Sequence, residues 1–177
     1  MDPEVRVKQW RGDIWLLHDV GWYIGDPSNA YVKPNGCNVM GRGISLQART
    51  RFPGVDAWYG KQLLEQVRPT LAAGRRVRLS DLDLGALVVV NDEHRLVFLP
   101  VKTNWQEQAV RSLIEYSLAG LHVTLVERPE LRVALPRLGC GNGGLDWEGD
   151  DGVRMLVRAF LAKLPAEARS RVMIVSP

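Results

Sequence analysis

Short apolar runs alternate along this chain with longer stretches whose apolar residues recur at helical spacing, and that alternation restricts the fold to a sheet covered by helices. Strands are predicted at 5–10, 22–24, 87–90, 96–101, 131–135 and 171–175. The last pair but two is separated by Asn91-Asp92-Glu93-His94, which is turn chemistry for a hairpin. Helices are predicted at 41–52, stopped by Pro53, at 58–71, at 107–121, and at 146–164, where Val153, Leu156, Val157, Phe160, Leu161 and Leu164 form a stripe. The implied fold class is α/β, a mixed or mostly parallel sheet sandwiched by helices, in which ligands bind at the carboxyl ends of the strands.

With 177 residues, one domain spanning 1–177 is expected, burying roughly 70% of the surface its unfolded chain exposes. No apolar run approaches the roughly 20 residues of a membrane span. Met1-Asp2-Pro3-Glu4 does not read as a signal-peptide start. A cytoplasmic location without a membrane partner is therefore expected. Cys37 and Cys140 are too few for a disulfide framework or metal cluster, so no metal is expected. The net charge of +3 weakly favours an anionic partner. Lysine is scarce, five against eighteen arginines, so a lysine placed near a loop carries more weight than usual.

The densest glycine punctuation is Gly139-Cys140-Gly141-Asn142-Gly143-Gly144, between a predicted strand and a predicted helix. Glycines allow close backbone approach to a ligand, and free amides at a helix start favour phosphate. Val39-Met40-Gly41-Arg42-Gly43-Ile44 opens another helix in the same way. Two such loops could hold the two ends of a diphosphate, and neither has the lysine of a P-loop.

Gly12-Asp13-Ile14, Asn29-Ala30, Val39 to Gln47 and Pro136 to Trp147 occur in the order of a macrodomain, and the chain resembles that family throughout. The Asn29-Ala30 and Pro136 to Trp147 strings resemble the branch containing the DNA ADP-ribosyl glycohydrolase antitoxins and the terminal ADP-ribose protein glycohydrolase. The resemblance implies a three-layer α/β/α sandwich with a central mixed sheet. It also implies ADP-ribose as ligand and no cofactor. It places Asp13 and Ile14 at the adenine, and Asn29 near the distal ribose. Met40, Gly41, Arg42, Gly43 and Ile44 fall around that ribose and the phosphates, with Gly139, Cys140, Gly141, Asn142, Gly143, Gly144 and Leu145 around the diphosphate. Lysine is common in the family where Arg42 stands here, and the loop after Asn29 carries extra residues, Lys33, Pro34 and Asn35.

Pro100-Val101-Lys102 matches the string that carries the catalytic lysine in that branch, which makes Lys102 the leading catalytic candidate. The amine could attack the anomeric carbon or, as an ammonium, stabilise a leaving group. The protein-directed member of the branch uses an aspartate where this chain has Gly143, so the resemblance favours ADP-ribose on a thymine base of DNA over ADP-ribose esters on protein carboxylates. Arg49, Arg51, Arg75, Arg76 and Arg78 are candidates for contacting single-stranded DNA, with Trp105 or Trp58 stacking a base. A non-catalytic reader and a phosphatase acting on ADP-ribose 1″-phosphate use the same pocket and remain alternatives. A monomer is expected.

Overall fold

The computed structural model describes residues 5, 7–66 and 88–177. Arg75, Arg76, Arg78, residue 87 of one predicted strand and the end of the helix predicted to residue 71 lie outside the described residues.

Six strands form one sheet in the order β1-β6-β5-β2-β4-β3. They are β1 (Gln9–Arg11), β2 (Tyr23–Asn29), β3 (Val89–Asn91), β4 (Leu96–Lys102), β5 (Val133–Pro136) and β6 (Val172–Ser176). All neighbours are parallel except β3, which returns antiparallel to β4 through the anticipated hairpin. The sheet is mixed, as the sequence implied. Alternating side chains feed two cores. Ile24, Leu96, Phe98, Ala134 and Val175 pack toward α1 (Ile14–Asp19), α2 (Gly43–Arg51) and α3 (Val55–Gln66). Val97, Leu99, Val133, Leu135 and Ile174 pack toward α4 (Arg111–Glu127), α5 (Val153–Lys163) and α6 (Ala166–Arg169). The result is an α/β/α sandwich. Among the described residues no helix is long and apolar enough to cross a membrane.

Several boundaries differ from expectation for identifiable reasons. The strand expected at 22–24 continues to Asn29, because Gly25, Asp26 and Pro27 interrupt the apolar pattern of what is a central strand. Gly25 is needed there, since the side chains of Leu135 and Leu99 occupy the space of a Cβ. Helix α1 was not anticipated; Asp13 caps it by accepting from the Trp15 amide at 3.0 Å. Gly120 does not end α4 but sits within it, where a side chain would meet Val88. That helix starts later than predicted because the amides of Ala109 and Val110 are bonded to the carbonyls of Gly143 and Val101. Helix α5 starts at Val153 rather than 146, with Gly149 at φ +95 turning the chain beforehand.

The extra residues after Asn29 form an ordered loop. Val32 pairs with Asn38, Lys33 and Cys37 close the turn at 2.8 Å, and the Asn38 amide reaches the Asp56 carbonyl of α3 at 2.9 Å. Gly60 of α3 backs this loop so closely that a methyl group would overlap the Gly36 carbonyl. Helix propensity alone would make Gly60→Ala stabilising by about 0.8–1 kcal/mol. Urea unfolding is expected to show the opposite, a loss of about 1–3 kcal/mol, because the obstructing atoms are backbone.

Candidate functional site

A cavity of about 1080 Å³ opens at the carboxyl ends of β2, β4, β5 and β6. Pro27, Asn29, Val101 and Lys102 line it from the strand ends, Gly41 to Ile44 line one wall, and Gly139 to Gly143 with Leu145 line another. Asp146, Trp147, Gln47 and the chain end at Val175 and Pro177 complete the lining, with Trp105, Gln106 and Glu107 beside Lys102. The two glycine walls approach each other, since a Cβ on Gly43 would lie 3.5 Å from Asn142 Nδ2.

The walls supply amides in different ways. In the first, Arg42 precedes α2 without a side-chain cap, and Leu46 is the first amide of that helix with a backbone acceptor. Among the described residues the amides of Gly43, Ile44 and Ser45 have no backbone acceptor, which makes them donors at a helix N-terminus. Gly43 takes φ +56, which a side chain would strain. In the second wall the expectation of a helix start directly after the glycines is corrected. The amides of Val153 and Arg154 are spent on the carbonyls of Asp146 and Trp147, so α5 offers no open end. The loop itself provides the donors. Among the described residues, the amides of Gly141, Asn142 and Gly143 have no backbone acceptor. Gly139 and Gly144 turn with φ +71 and +74, and Gln108 Nε2 donates to the Gly144 carbonyl at 3.0 Å.

Lys102 ends β4 and stands in register with Asn29 of β2. Asn29 is fixed in turn: its Nδ2 donates to the Val39 carbonyl at 2.8 Å, and its Oδ1 accepts from Asn38 Nδ2 at 3.0 Å. Burial, and secondarily the Arg42 guanidinium, lower the Lys102 pKa from the usual lysine range. Among the described residues no carboxylate pairs with its ammonium. Cys140 lines the same cavity, but burial pushes its thiol up to about 11, which keeps it protonated.

The remaining candidates divide. Met40 is buried beneath the α2 wall and Gly144 stands behind the second wall, neither lining the cavity. Asp13 is exposed and Ile14 buried, both outside the lining; they connect to it through Trp15, whose indole donates to Gln47 Oε1 at 2.7 Å. Trp105 is 46% exposed at the lining, whereas Trp58 is partly buried, packs against Phe98 and does not line the cavity. Arg51 lies over the Trp15 ring.

No family model matches the chain. Over 126 residues it is 33% identical to a DNA ADP-ribosyl glycohydrolase of Mycobacterium tuberculosis, an alignment that takes 71% of this chain and 33% of the relative. A DNA ADP-ribosyl glycohydrolase of Thermus aquaticus is 32% identical over 114 residues, 64% of this chain and 29% of the relative. The chain thus spans about a third of the length of these curated relatives. The macrodomain of Thermus aquaticus DarG superposes with a TM-score of 0.69 at 25% identity, covering 97% of this chain and 99% of that one. The chain belongs to the macrodomain family. The macrodomain of Mycobacterium tuberculosis DarG superposes equally well at 24% identity, with the same coverage. Thermosipho africanus DarTG in complex with ADP-ribose matches this macrodomain with a TM-score of 0.61 at 20% identity, over 96% of this chain and 42% of that one.

One feature of this macrodomain gave only a faint signal in the sequence, a charged residue inside a strand-like run. Asp26 of β2 is fully buried, accepts from Ser45 Oγ at 2.5 Å through Oδ1, and has no partner at Oδ2. Burial raises its pKa from 3.8 to about 7, against the lowering effect of Ser45. The folded state then binds more protons than the unfolded one between those values, so stability falls as pH rises through that window. Replacing Asp26 by Asn removes this penalty while leaving a buried NH2 group unmatched. Thermal melts of the free protein at pH 8 are expected to show Asp26→Asn higher than wild type by roughly 2–8 °C, with the difference shrinking toward pH 5.

Proposed function

We propose that this macrodomain binds ADP-ribose between its two glycine walls and acts as an ADP-ribosyl glycohydrolase, with ADP-ribosylated DNA as substrate and Lys102 as the catalytic residue. The observation that carries this reading is the placement of Lys102. A half-buried lysine with no carboxylate partner among the described residues stands beside Asn29 on the floor of a cavity whose walls present two sets of amides without an acceptor among those residues. Amides of this kind suit a diphosphate, and the ribose beyond it falls toward Asn29 and Lys102. The adenine then lies toward Gln47, with Asp13 and Ile14 behind it. Trp105 at the lining offers an aromatic face to a neighbouring base. The names of the relatives support DNA over protein as the carrier of the modification. So does the glycine at position 143, where the protein-directed branch uses an aspartate.

The chemistry follows from the lowered proton affinity of Lys102. Its neutral amine adds to the anomeric carbon as the bond to the base breaks, and the base leaves with a proton. Opening of the ribose gives an imine between Nζ and that carbon. Water then adds to the imine and releases ADP-ribose with the free amine. A module that only recruits ADP-ribosylated partners needs the amide walls but has no use for this lysine.

Lys102→Ala is expected to slow release of ADP-ribose from modified single-stranded DNA by about 100-fold or more, while free ADP-ribose binds within a few-fold of wild type in calorimetry. Borohydride should trap the wild type on substrate and leave the alanine variant untouched. Full turnover by the variant would move the chemistry elsewhere, and turnover on ADP-ribosylated protein alone would reassign the substrate.

A valine at Gly141, where a Cβ meets open cavity, and a valine at Gly43, where φ is +56, are both expected to weaken ADP-ribose binding. Titration calorimetry reads this directly, and unchanged affinity in both variants would exclude the two walls as the diphosphate site.

A further inference from the structure

The one fully buried carboxyl group among the described residues takes no part in the reaction above. Asp26 lies on β2 immediately before Pro27, which lines the cavity. Among the described residues its only hydrogen-bond partner is Ser45. Ser45 belongs to the first turn of α2, lines the cavity itself, and carries one of that turn's open amides. Asp26 is thus one side chain removed from the site where an anion would sit.

Its surroundings isolate it from other charges. On the same side of the sheet, α1 presents His18, engaged with the His94 carbonyl at 2.8 Å, and α3 presents Tyr59, bonded to Ser28 at 2.9 Å. The residue opposite it on β4 is Phe98. The pairing of β2 with β5 is confined to Tyr23 and Ile24. From α2 only the Ser45 hydroxyl reaches it, and Arg42 at the start of that helix sits in the lining and acts on Lys102 instead. The Ser45 hydrogen bond favours a charged Asp26, and the positive end of the α2 dipole acts in the same direction. A diphosphate seated on the same amides neutralises that end and adds negative charge beside the carboxylate, and both effects favour its protonation.

We infer that Asp26 is a positioning residue of the diphosphate site: acting through Ser45 it holds the first turn of α2, and it takes up a proton when an anionic diphosphate seats on that turn. This rests on the reading of the cavity as an ADP-ribose site. It makes ADP-ribose affinity depend on pH, with protonated Asp26 as the high-affinity form.

The test is calorimetry of free ADP-ribose with the wild-type protein near pH 7.5, in two buffers of different ionisation enthalpy, followed by affinity measurements between about pH 6 and 9. The expected result is net proton uptake, with affinity level at the acid end and falling at up to about tenfold per pH unit above neutrality. Asp26→Asn should take up no proton and keep a level affinity across the range. Ser45→Ala removes the one contact that favours the charged carboxylate, so the fall should move to higher pH, a readout available even if Asp26→Asn folds poorly. Binding without proton uptake would overturn the inference and leave the ADP-ribose reading intact. A pH dependence that persists in Asp26→Asn would assign the proton to another lining group, Lys102 foremost, and overturn it equally. Absence of binding at every pH would remove the ADP-ribose reading, and this inference with it.

Discussion

Parallel pairing of β2 with β4 and the break in its register create the floor of the site. Both strands are central, yet each carries a proline near its carboxyl end, Pro27 and Pro100, where a ladder donor is lost. Ser28 pairs with Pro100, but Asn29 pairs with Lys102, leaving Val101 as the extra residue of a bulge. Its carbonyl accepts instead from the Val110 amide. Ser117 Oγ takes up the Pro100 carbonyl at 2.6 Å, and the Ala30 amide takes up that of Lys102 at 3.1 Å. The bulge therefore costs no buried acceptor its partner, and it delivers Lys102 to the side of Asn29. A regular ladder would shift the lysine by one residue and send its side chain to the opposite face.

On this floor the two walls divide the work of presenting amides. The α2 wall uses a helix end left uncapped by its own side chains, with the dipole behind it. The second wall has no helix end to offer, because the carbonyls of Asp146 and Trp147 consume the first turn of α5. It relies on the turn of the glycine loop, held from outside by Ala109 and Gln108. Both walls are bonded in position by the protein alone, so little ordering remains when a ligand arrives.

The fold class and both glycine loops were legible in the sequence because they rest on periodicity and on residues of special backbone freedom. The apolar run 96–101 reads as a buried strand, which puts Lys102 at its carboxyl end, where β4 closes. The extent of β2 was not legible, since Gly25, Asp26 and Pro27 are there for close packing, a buried polar contact and the strand end rather than for strand propensity. The same holds for residues 146–152, whose turn depends on backbone contacts that no side-chain pattern reports. Gln47, Val175 and Pro177 line the cavity only because β6 ends beside β5 and α2 crosses the strand ends, which is a property of topology. Asp13 caps α1 and reaches the lining only through Trp15 and Gln47. Its capping bond to Trp15 uses Oδ1.

The charges of the cavity bear on how one lysine can serve in it. Arg42, Lys102 and Arg137 line the same space, which suits a diphosphate but works against holding the ammonium of Lys102. If Arg42 were the main cause of the lowered proton affinity, an arriving diphosphate would cancel it, and the lysine would regain its proton at the moment a nucleophile is needed. Burial is the larger cause, however, and Arg42 the smaller. A nucleotide filling the cavity excludes further water from Nζ and so strengthens the larger effect while its phosphates offset the smaller. If the cavity takes ADP-ribose as proposed, the amine stays disposed to lose its proton with the nucleotide in place. Under that proposal binding and reactivity share one cavity, lined by Arg42, Lys102 and Arg137 with Glu107 and Asp146, without the first undoing the second.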